Sequence, residues 1–308
     1  MNVYHGLSDY PKLQPVALTI GSFDGVHHGH QEIIHQLKED AKRLGCLSAI
    51  MTFTPHPRIV LNRDKEGLRL LTTDAEKQEL FAQFGIDLLF FMPFNQAFLS
   101  QSAETFLHEM LLKQLNTKHI VLGYDHRFGN NREGDVHFLQ ARSADLGYSV
   151  DEISGQKVDD IAVSSTKIRQ AIESGAIEMA NKMLGYAYGL SGRVVKGDQI
   201  GRTLGYPTAN LQAVDSYKQL PAYGVYACEA WVNEHWLPAM CYIGNRPTIS
   251  GEKTNIEVNI LDWEGDLYNS ELRIRFVQQV RGDIKFANLP ALKIQIEADE
   301  REIRKLFK

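Results

Sequence analysis

At 308 residues, 44% of them hydrophobic and 23% charged, the chain is long enough for about two domains, each with its own core. A formal net charge of −5 gives no electrostatic footprint for duplex nucleic acid or an acidic membrane, so the expected partners are small molecules. Three cysteines (Cys46, Cys228 and Cys241), odd in number and without C-x-x-C spacing, exclude a disulfide framework and a Cys-rich zinc site and point to a cytoplasmic protein.

The first residues, MNVYHGLSDYPKLQ, lack an apolar signal core, and no later run reaches the roughly 18 apolar residues of a membrane helix. From there PVALTIGSF (15–23), LSAIMTF (47–53), IDLLFFMPF (86–94) and HIVLGYD (119–125) read as strands. Between them QEIIHQLKEDAKRLG (31–45) and AETFLHEMLLKQL (103–115) read as amphipathic helices, and the alternation predicts a parallel sheet covered by helices. Val16 to Ile20 form a buried strand, Gly21 and Gly25 supply the turn after it, and Ile33, Ile34 and Leu37 share one helical face. His27 and His30 therefore stand three apart near a helix N-terminus, where unpaired N–H groups, the helix dipole and imidazole donors suit a polyphosphate. Zinc needs about four ligands, and only His56 offers itself as a further one.

The Gly-rich segment GYDHRFGNNREGD (123–135) follows a strand and reads as a ligand loop. In VSSTKIR (163–169) one of Ser164, Ser165 and Thr166 is the expected N-cap of the helical pattern KIRQAIES, and Arg169, one turn in, offers a bidentate guanidinium to phosphate. A boundary near residues 185–189 divides the chain into 1–186 and 187–308, because the runs SGRVVKG, GVYACEAWV, LPAMCYIG, NIEVNILD and ELRIRFVQQV are short and β-rich. They predict a small antiparallel barrel, closed by a helix over the tail with Leu292, Ile296, Ile303 and Leu306 facing it. Within GRVVKGDQIGRTLGYPTANL (192–211), Gly197, Gly201 and Gly205 let the backbone approach phosphate, while Thr208 and Asn210 offer neutral oxygens suited to Mg²⁺. By pattern alone Glu257 is a solvent-facing carboxylate of an alternating strand. Tyr223, Tyr226, Trp263 and Phe286 are the aromatic side chains available for an apolar ring slot.

Gly21 to His30, in the pattern Gly-x-Phe-Asp-Gly-x-His-x-Gly-His, resemble the nucleotidyltransferase signature of the prokaryotic FAD synthetase family. TFTPHP (52–57), GYDHRFGNNREGD and VSSTKIR follow in the same order. The Pro-Thr-Ala-Asn segment, YGVYAC (223–228), NRPTISG (245–251), IEVNILDWEGDLYNSELRIRF (256–276) and VRGDIKF (280–286) resemble the riboflavin kinase domain that follows it in bacterial bifunctional riboflavin kinase/FAD synthetases. The resemblance spans nearly the whole chain. It implies an α/β fold followed by a β fold: a Rossmann-like nucleotidyltransferase domain with a parallel sheet in 1–186 and a small antiparallel β-barrel kinase domain with its closing helix in 187–308.

The resemblance also implies chemistry: riboflavin and ATP give FMN and ADP in the second domain, and FMN and ATP give FAD and pyrophosphate in the first, with Mg²⁺ needed in both. His27 and His30 would then hold ATP and stabilise charge as the α-phosphate is attacked, with His28 at the variable position of the motif. Gly21, Phe23, Asp24, Ser164, Ser165, Thr166 and Arg169 would complete that ATP site, and Asp125 would lie near the transferred phosphate and the flavin. In the kinase domain Glu257 would be the general base on the ribityl 5′-hydroxyl. Gly197, Gly201, Gly205, Thr208 and Asn210 would form the ATP cradle, Thr208 and Asn210 would be the Mg²⁺ ligands, and Arg281 and Phe286, with Lys285 beside them, would meet the flavin. The chain departs from many relatives in carrying Asn259 in place of His and Ile200 in place of Arg, beside the motifs rather than in them. The rival readings are a protein retaining only one of the two activities and a flavin-binding regulator without catalysis.

Overall fold

The computed structural model describes residues 1–308 apart from 13, 62–66, 125, 156, 159–160, 198, 214 and 249–250, and sorts them into two units, Met1–Ser165 and Thr166–Lys308. The first unit is built on a parallel sheet of β1 (Asn2–His5), β2 (Val16–Ile20), β3 (Leu47–Thr54), β4 (Leu88–Pro93), β5 (Thr117–Gly123) and β6 (Ser149–Ile153). Their order across the sheet is β1-β4-β3-β2-β5-β6. Leu18, Met51, Phe90 and Leu122 point to one core, and their neighbours Ala17, Ile50, Leu89 and Val121 to a second on the opposite face. Burial on both faces explains why these runs read as continuously apolar instead of alternating.

Helix α1 (His28–Leu44) lays Ile33, Ile34 and Leu37 on the second face and stops at Gly45, which takes the left-handed φ of +64°. It begins three residues earlier than the periodicity predicts, so both His28 and His30 fall in its first turn. Two short helices, α2 (Pro57–Val60) and α3 (Asp74–Gln83), follow β3. After β4 come α4 (Gln96–Leu99) and α5 (Ala103–Thr105), which runs into a wider π-type helix over Phe106–Gln114 where an ordinary helix is predicted. Helix α6 (Val136–Leu146) leads to β6, and the antiparallel ribbon β7 (Lys157–Val158) and β8 (Ile161–Ala162) closes the unit.

The strand order carries a functional consequence. The chain runs outward from β2 through β3 to β4, then returns to β5 on the other side of β2. Such a reversal opens a crevice at the carboxyl ends of the strands, where α/β sheets bind their ligands. The segments after β3, β2 and β5 are TFTPHP, GSFDGVHHGH and GYDHRFGNNREGD, so three motifs distant in sequence leave the sheet side by side.

Helix α7 (Ser165–Glu173) crosses the division between units, and α8 (Ile177–Leu184) belongs with the second, since Asn181 donates from Nδ2 to the Phe276 carbonyl (2.9 Å) and accepts from the Tyr188 N–H (2.7 Å). The second unit is a closed antiparallel barrel of β9 (Gly189–Val195), β10 (Ala209–Ala213), β11 (Gly224–Val232), β12 (His235–Thr248), β13 (Gly251–Ile260) and β14 (Glu271–Gly282), in the order β10-β13-β12-β11-β14-β9. A short helix, α9 (Ile200–Leu204), sits between β9 and β10. The closing helix is α10 (Leu289–Leu306), whose Ile303 is fully buried against Val225, Ala227, Met240 and Leu261. Ile296 packs at the same cluster as predicted, but Leu306 does not: it is 44% exposed, and Phe307 takes the contact. Residues 296, 303 and 307 repeat on one helical stripe, from which residue 306 is turned by about 80°.

Candidate active sites

Between β2 and α1 the backbone is left-handed at Phe23 (φ +48°), Gly25 (+87°) and Val26 (+36°). Non-glycine residues keep such angles only where their surroundings over-determine them. Here the side chains point inward: Phe23 and Asp24 are buried, and Asp24 Oδ1 accepts from the backbone N–H groups of Leu71 (2.8 Å) and Thr72 (3.1 Å). The Gly25 N–H donates to Thr72 Oγ1 (2.9 Å), and Ser165 Oγ donates to the Asp24 carbonyl (2.9 Å). Phe23, Asp24 and Ser165 thus build the loop itself. A Cβ at Gly21 would stand 3.1 Å from the Phe23 ring, and one at Gly29 would stand 3.3 Å from the His27 ring.

His27 immediately precedes α1, and its carbonyl accepts from the N–H groups of His30 (2.7 Å) and Gln31 (2.9 Å). The two rings stack with centroids 3.7 Å apart and planes 13° from parallel, with the Phe23 ring edge-on to His30. Nδ1 of His30 is sealed from solvent without a hydrogen-bond partner among the described residues. Burial first, and the neighbouring His27 second, push the His30 pKa well below that of an ordinary imidazole. A neutral ring held this way offers one N–H and one lone pair. Two stacked imidazoles beside a helix N-terminus therefore form a poised donor set for an anion.

The other predicted residues of this half divide into several groups. Ser164 immediately precedes α7, Ser165 makes the contact to Asp24, and Thr166 and Arg169 lie in the early turns of α7, counted with the second unit. Asp125 lies outside the described residues. His56, the stray zinc candidate, instead caps α2, with Nδ1 accepting from the Arg58 N–H (3.1 Å). A second polar group that the sequence analysis missed brings Asp40, His119 and Asp151 together, with possible ligand atoms within 4.8 Å of one another. It is internally satisfied: Asp40 accepts from Gln36 (2.8 Å), Arg43 (2.5 Å) and His119 Nε2 (3.2 Å), while His119 Nδ1 pairs with Ser149 (2.7 Å). Burial alone would raise the Asp40 carboxyl; these partners hold it below its ordinary value. The group ties α1 to β5.

The aromatic file beside the loop after β5 also went unread in the sequence. Phe53, Phe98, Phe106, Phe128 and Phe138 follow one another with centroids 5.3–5.8 Å apart. His126 lies next to Phe128, its Nε2 sealed without a partner among the described residues, and burial, then Arg127 and Arg132, lower its pKa to about 4.

In the barrel, strand β13 alternates cleanly: Ile256, Val258 and Ile260 enter the interior, while Asn255, Glu257 and Asn259 share the opposite face. On that face a cavity of about 280 Å³ lies between the barrel and α10. Thr208, Glu257, Asn259, Arg281, Phe286 and Asp299 line it. Glu257 is therefore not the free surface carboxylate its strand pattern suggests. Its Oε2 accepts from Thr208 Oγ1 (3.0 Å) and its Oε1 from Asn255 Nδ2 (2.5 Å). Asn259 donates from Nδ2 to the Pro207 carbonyl (2.7 Å), fixing the segment that carries Thr208. Asn210 is buried and faces Glu257 across the β10–β13 pairing.

The glycines have specific reasons to be glycine. A Cβ at Gly197 would fall 2.3 Å from Asn210 Nδ2, and one at Gly201 would fall 2.3 Å from the Tyr206 carbonyl, while Gly205 ends α9 at φ +89°.

Arg281 and Phe286 both line the cavity, the guanidinium 5.6 Å from the ring centroid. The residue that organises them was not legible: Asp299 of α10, 2% exposed, accepts from Arg281 Nε (3.0 and 3.1 Å) and Nη2 (2.9 Å) and from Gln295 Nε2 (2.8 Å). Tyr242 donates to Asp283 (3.1 Å), and burial, then that carboxylate, push its phenol up to about 12. Among the aromatic side chains considered for a ring slot, Tyr226 is excluded, being wholly buried with its hydroxyl on the Ala222 carbonyl (2.5 Å). Ile200, where many relatives carry Arg, lies at the cavity and is 46% exposed.

Comparison with known proteins finds two families in succession along the chain. The FAD synthetase family model matches residues 10–167, and the riboflavin kinase model matches residues 184–307. A protein of Escherichia coli strain K12 named bifunctional riboflavin kinase/FMN adenylyltransferase is 36% identical over 98% of this chain and 96% of its own. Relatives of the same name from Listeria monocytogenes (37% identical; 94% of this chain, 92% of theirs) and Bacillus subtilis (36%; 94% and 92%) are similar. A solved Streptococcus pneumoniae structure, titled a macrolide-efflux protein, superposes with a TM-score of 0.90 at 30% identity over 98% of both chains. Among the described residues here, no helix is long and apolar enough to cross a membrane.

Proposed function

The chain belongs to the bifunctional riboflavin kinase/FMN adenylyltransferase family, and from that premise we propose that it carries out both reactions in sequence. Riboflavin takes the γ-phosphoryl group of ATP, giving FMN and ADP; FMN then attacks the α-phosphate of a second ATP, giving FAD and pyrophosphate. The first reaction is assigned to 187–308 and the second to 1–186, in the cytoplasm.

In the kinase half Glu257 is the general base. It takes the proton of the ribityl 5′-hydroxyl as that oxygen attacks phosphorus, a transfer that needs chiefly alignment and charge neutralisation. Thr208 and Asn210 supply hard neutral oxygens beside the Glu257 carboxylate, a donor set that fits Mg²⁺. When bound, the ion neutralises phosphate charge. Gly197, Gly201 and Gly205 allow the polyphosphate close to the backbone, and Arg281 and Phe286 receive the flavin under α10.

In the adenylylating half, the stacked pair His27 and His30, the latter held neutral by burial, donates to the α-phosphate as negative charge builds there. Gly21, Phe23, Asp24 and Ser165 hold the loop that presents them, and the motif resemblance adds Ser164, Thr166 and Arg169 as ATP-binding residues. Asp125 is assigned to the flavin side of the transferred phosphate.

The observation that carries this reading is the anchored carboxylate of Glu257 facing a cavity in the half of the chain that the riboflavin kinase model matches. Incubation with riboflavin, ATP and Mg²⁺, followed by chromatography of the flavins, is expected to yield FMN and then FAD. Glu257→Gln is expected to slow FMN formation by about 10²- to 10⁴-fold while still converting supplied FMN to FAD. Binding of riboflavin without any product would make the protein a flavin-binding regulator; one product without the other would leave a single activity.

A further inference from the structure

A general base is useful only if its oxygen waits where the proton will be. Glu257 sits on a strand face, where a glutamate side chain has three rotatable bonds and so considerable rotamer freedom to lose. Its position in the structure is not left to chance, since each oxygen of the carboxylate accepts one hydrogen bond from a different element of the barrel.

We propose that Asn255 is a positioning residue for phosphoryl transfer, holding Glu257 Oε1 so that the carboxylate faces the substrate hydroxyl. The inference rests on the assignment of Glu257 as base. Asn255 lies two residues before Glu257 on β13, so both side chains leave the same face, and Nδ2 stands 2.5 Å from Oε1. An ionised carboxylate only accepts hydrogen bonds, so the amide must present its NH₂ end to it. Thr208 holds the other oxygen from across the strand pair, and Asn259, on the same face as Asn255, anchors Thr208's segment through the Pro207 carbonyl.

The two restraints fix the plane of the carboxylate and still leave it sites at which to accept a proton. Each carboxylate oxygen has two lone-pair sites, so one on each remains after Asn255 and Thr208 have donated. Thr208 is already tied to the nucleotide cradle, whereas Asn255 lines no part of the cavity wall. Its contribution therefore passes through Glu257, which predicts an effect on turnover rather than on binding.

Steady-state riboflavin phosphorylation, with thermal melting on the same samples, tests this. Asn255→Ala is expected to lower kcat about tenfold while the KM values for ATP and riboflavin stay within about twofold, since misplacing a reacting group by ~1 Å costs up to about 10²-fold. Asn255→Asp, which keeps the shape but replaces the donor with a like charge, is expected to lose more than Asn255→Ala. Adding Asn255→Ala to Glu257→Gln is expected to cause no further loss, the signature of two residues acting as one. Conversion of supplied FMN to FAD should be unchanged in both Asn255 variants. Wild-type kcat in Asn255→Ala, a rise in KM at constant kcat, or an equal loss with and without Glu257 would each overturn the inference. Full kinase activity in Glu257→Gln would instead overturn the assignment of the base, a separate result. A variant that melts early yet follows the predicted order Asp below Ala, with KM held, still supports positioning, because unfolding has no reason to follow that order.

Discussion

Removing the charge of Asp299 should loosen the lid over the barrel cavity. Asp299 and Arg281 are 2% and 14% exposed at their side chains and share three N–O contacts of 2.9–3.1 Å, with Gln295 adding a fourth contact. Breaking a buried pair from one side typically costs ~3–5 kcal/mol, because the remaining charge is stranded. In Asp299→Asn the guanidinium keeps the Gly282 carbonyl (3.0 Å) and the face of Phe286, so about 2–3 kcal/mol is the reasoned cost. For a unit the size of Thr166–Lys308 that is a fall of roughly 5–10 °C in its melting temperature. The comparison variant is Asp262→Ala, which breaks a different ion pair of α10: Arg304 and Asp262 are 40% and 74% exposed, so solvent screening should leave the melting temperature nearly unchanged. Calorimetry of both variants, with riboflavin KM measured alongside, distinguishes the two anchors. Asp299→Asn is expected to raise the KM for riboflavin more than that for ATP. Equal melting temperatures for the two variants, or an unchanged riboflavin KM in Asp299→Asn, would refute the claim that this pair holds the flavin wall in place.

Two further outcomes concern the first unit. His27→Ala and His30→Ala should each lower the kcat of FAD formation by about 10²- to 10³-fold with little change in KM, the cost of one donor to developing charge. His28→Ala should be much milder, and all three variants should still phosphorylate riboflavin; equal losses at the three positions, read by flavin chromatography, would count against a phosphate role for the stacked pair. His126 is held neutral, with its pKa at about 4 against an ordinary 6.5, so folding disfavours its protonated form. That contribution is fully present above pH 6.5 and is lost as the pH falls toward 4, by about 1.4 kcal/mol per pH unit and about 3 kcal/mol in all. Denaturant titrations from pH 7 to pH 4 should show this loss in the first unit, and His126→Phe should flatten it; an identical slope in that variant would remove His126 as the cause.

The alternation of strands and helices was readable in the first unit because burial on both sheet faces leaves unbroken apolar runs, and α1 needed only Ile33, Ile34 and Leu37 to declare its inner face. The π-type winding at Phe106–Gln114 was not readable, since its residues carry an ordinary amphipathic pattern. Nor was the exposure of Leu306, because a helical pattern does not say where the last turn of contact ends. His27, His30, Thr208 and Glu257 could be picked out because their residue types are chemically unusual in their places. Asp24 was picked out for ATP, yet its carboxylate is engaged inside the fold by Leu71 and Thr72, about fifty positions on.

That contrast has a physical basis. A residue that touches substrate announces itself by type, whereas a residue that acts by holding another is defined only by a distance. Asn255, Asn259 and Asp299 all look ordinary in sequence: two amides on an alternating strand and one acid in a charged helix. What gives them roles is the closure of the barrel, which brings Thr208 to the free oxygen of Glu257, and the seating of α10, which buries Asp299 against Arg281. In the first unit the same work is done by the reversal of strand order, which collects three loops at adjacent strand ends. In both halves, then, short motifs carry the groups that meet phosphate, while long-range topology carries the groups that aim them. Substitutions in the second set should leave the reaction type intact and change its rate, which is why paired variants, rather than single ones, are the measurements that reveal them.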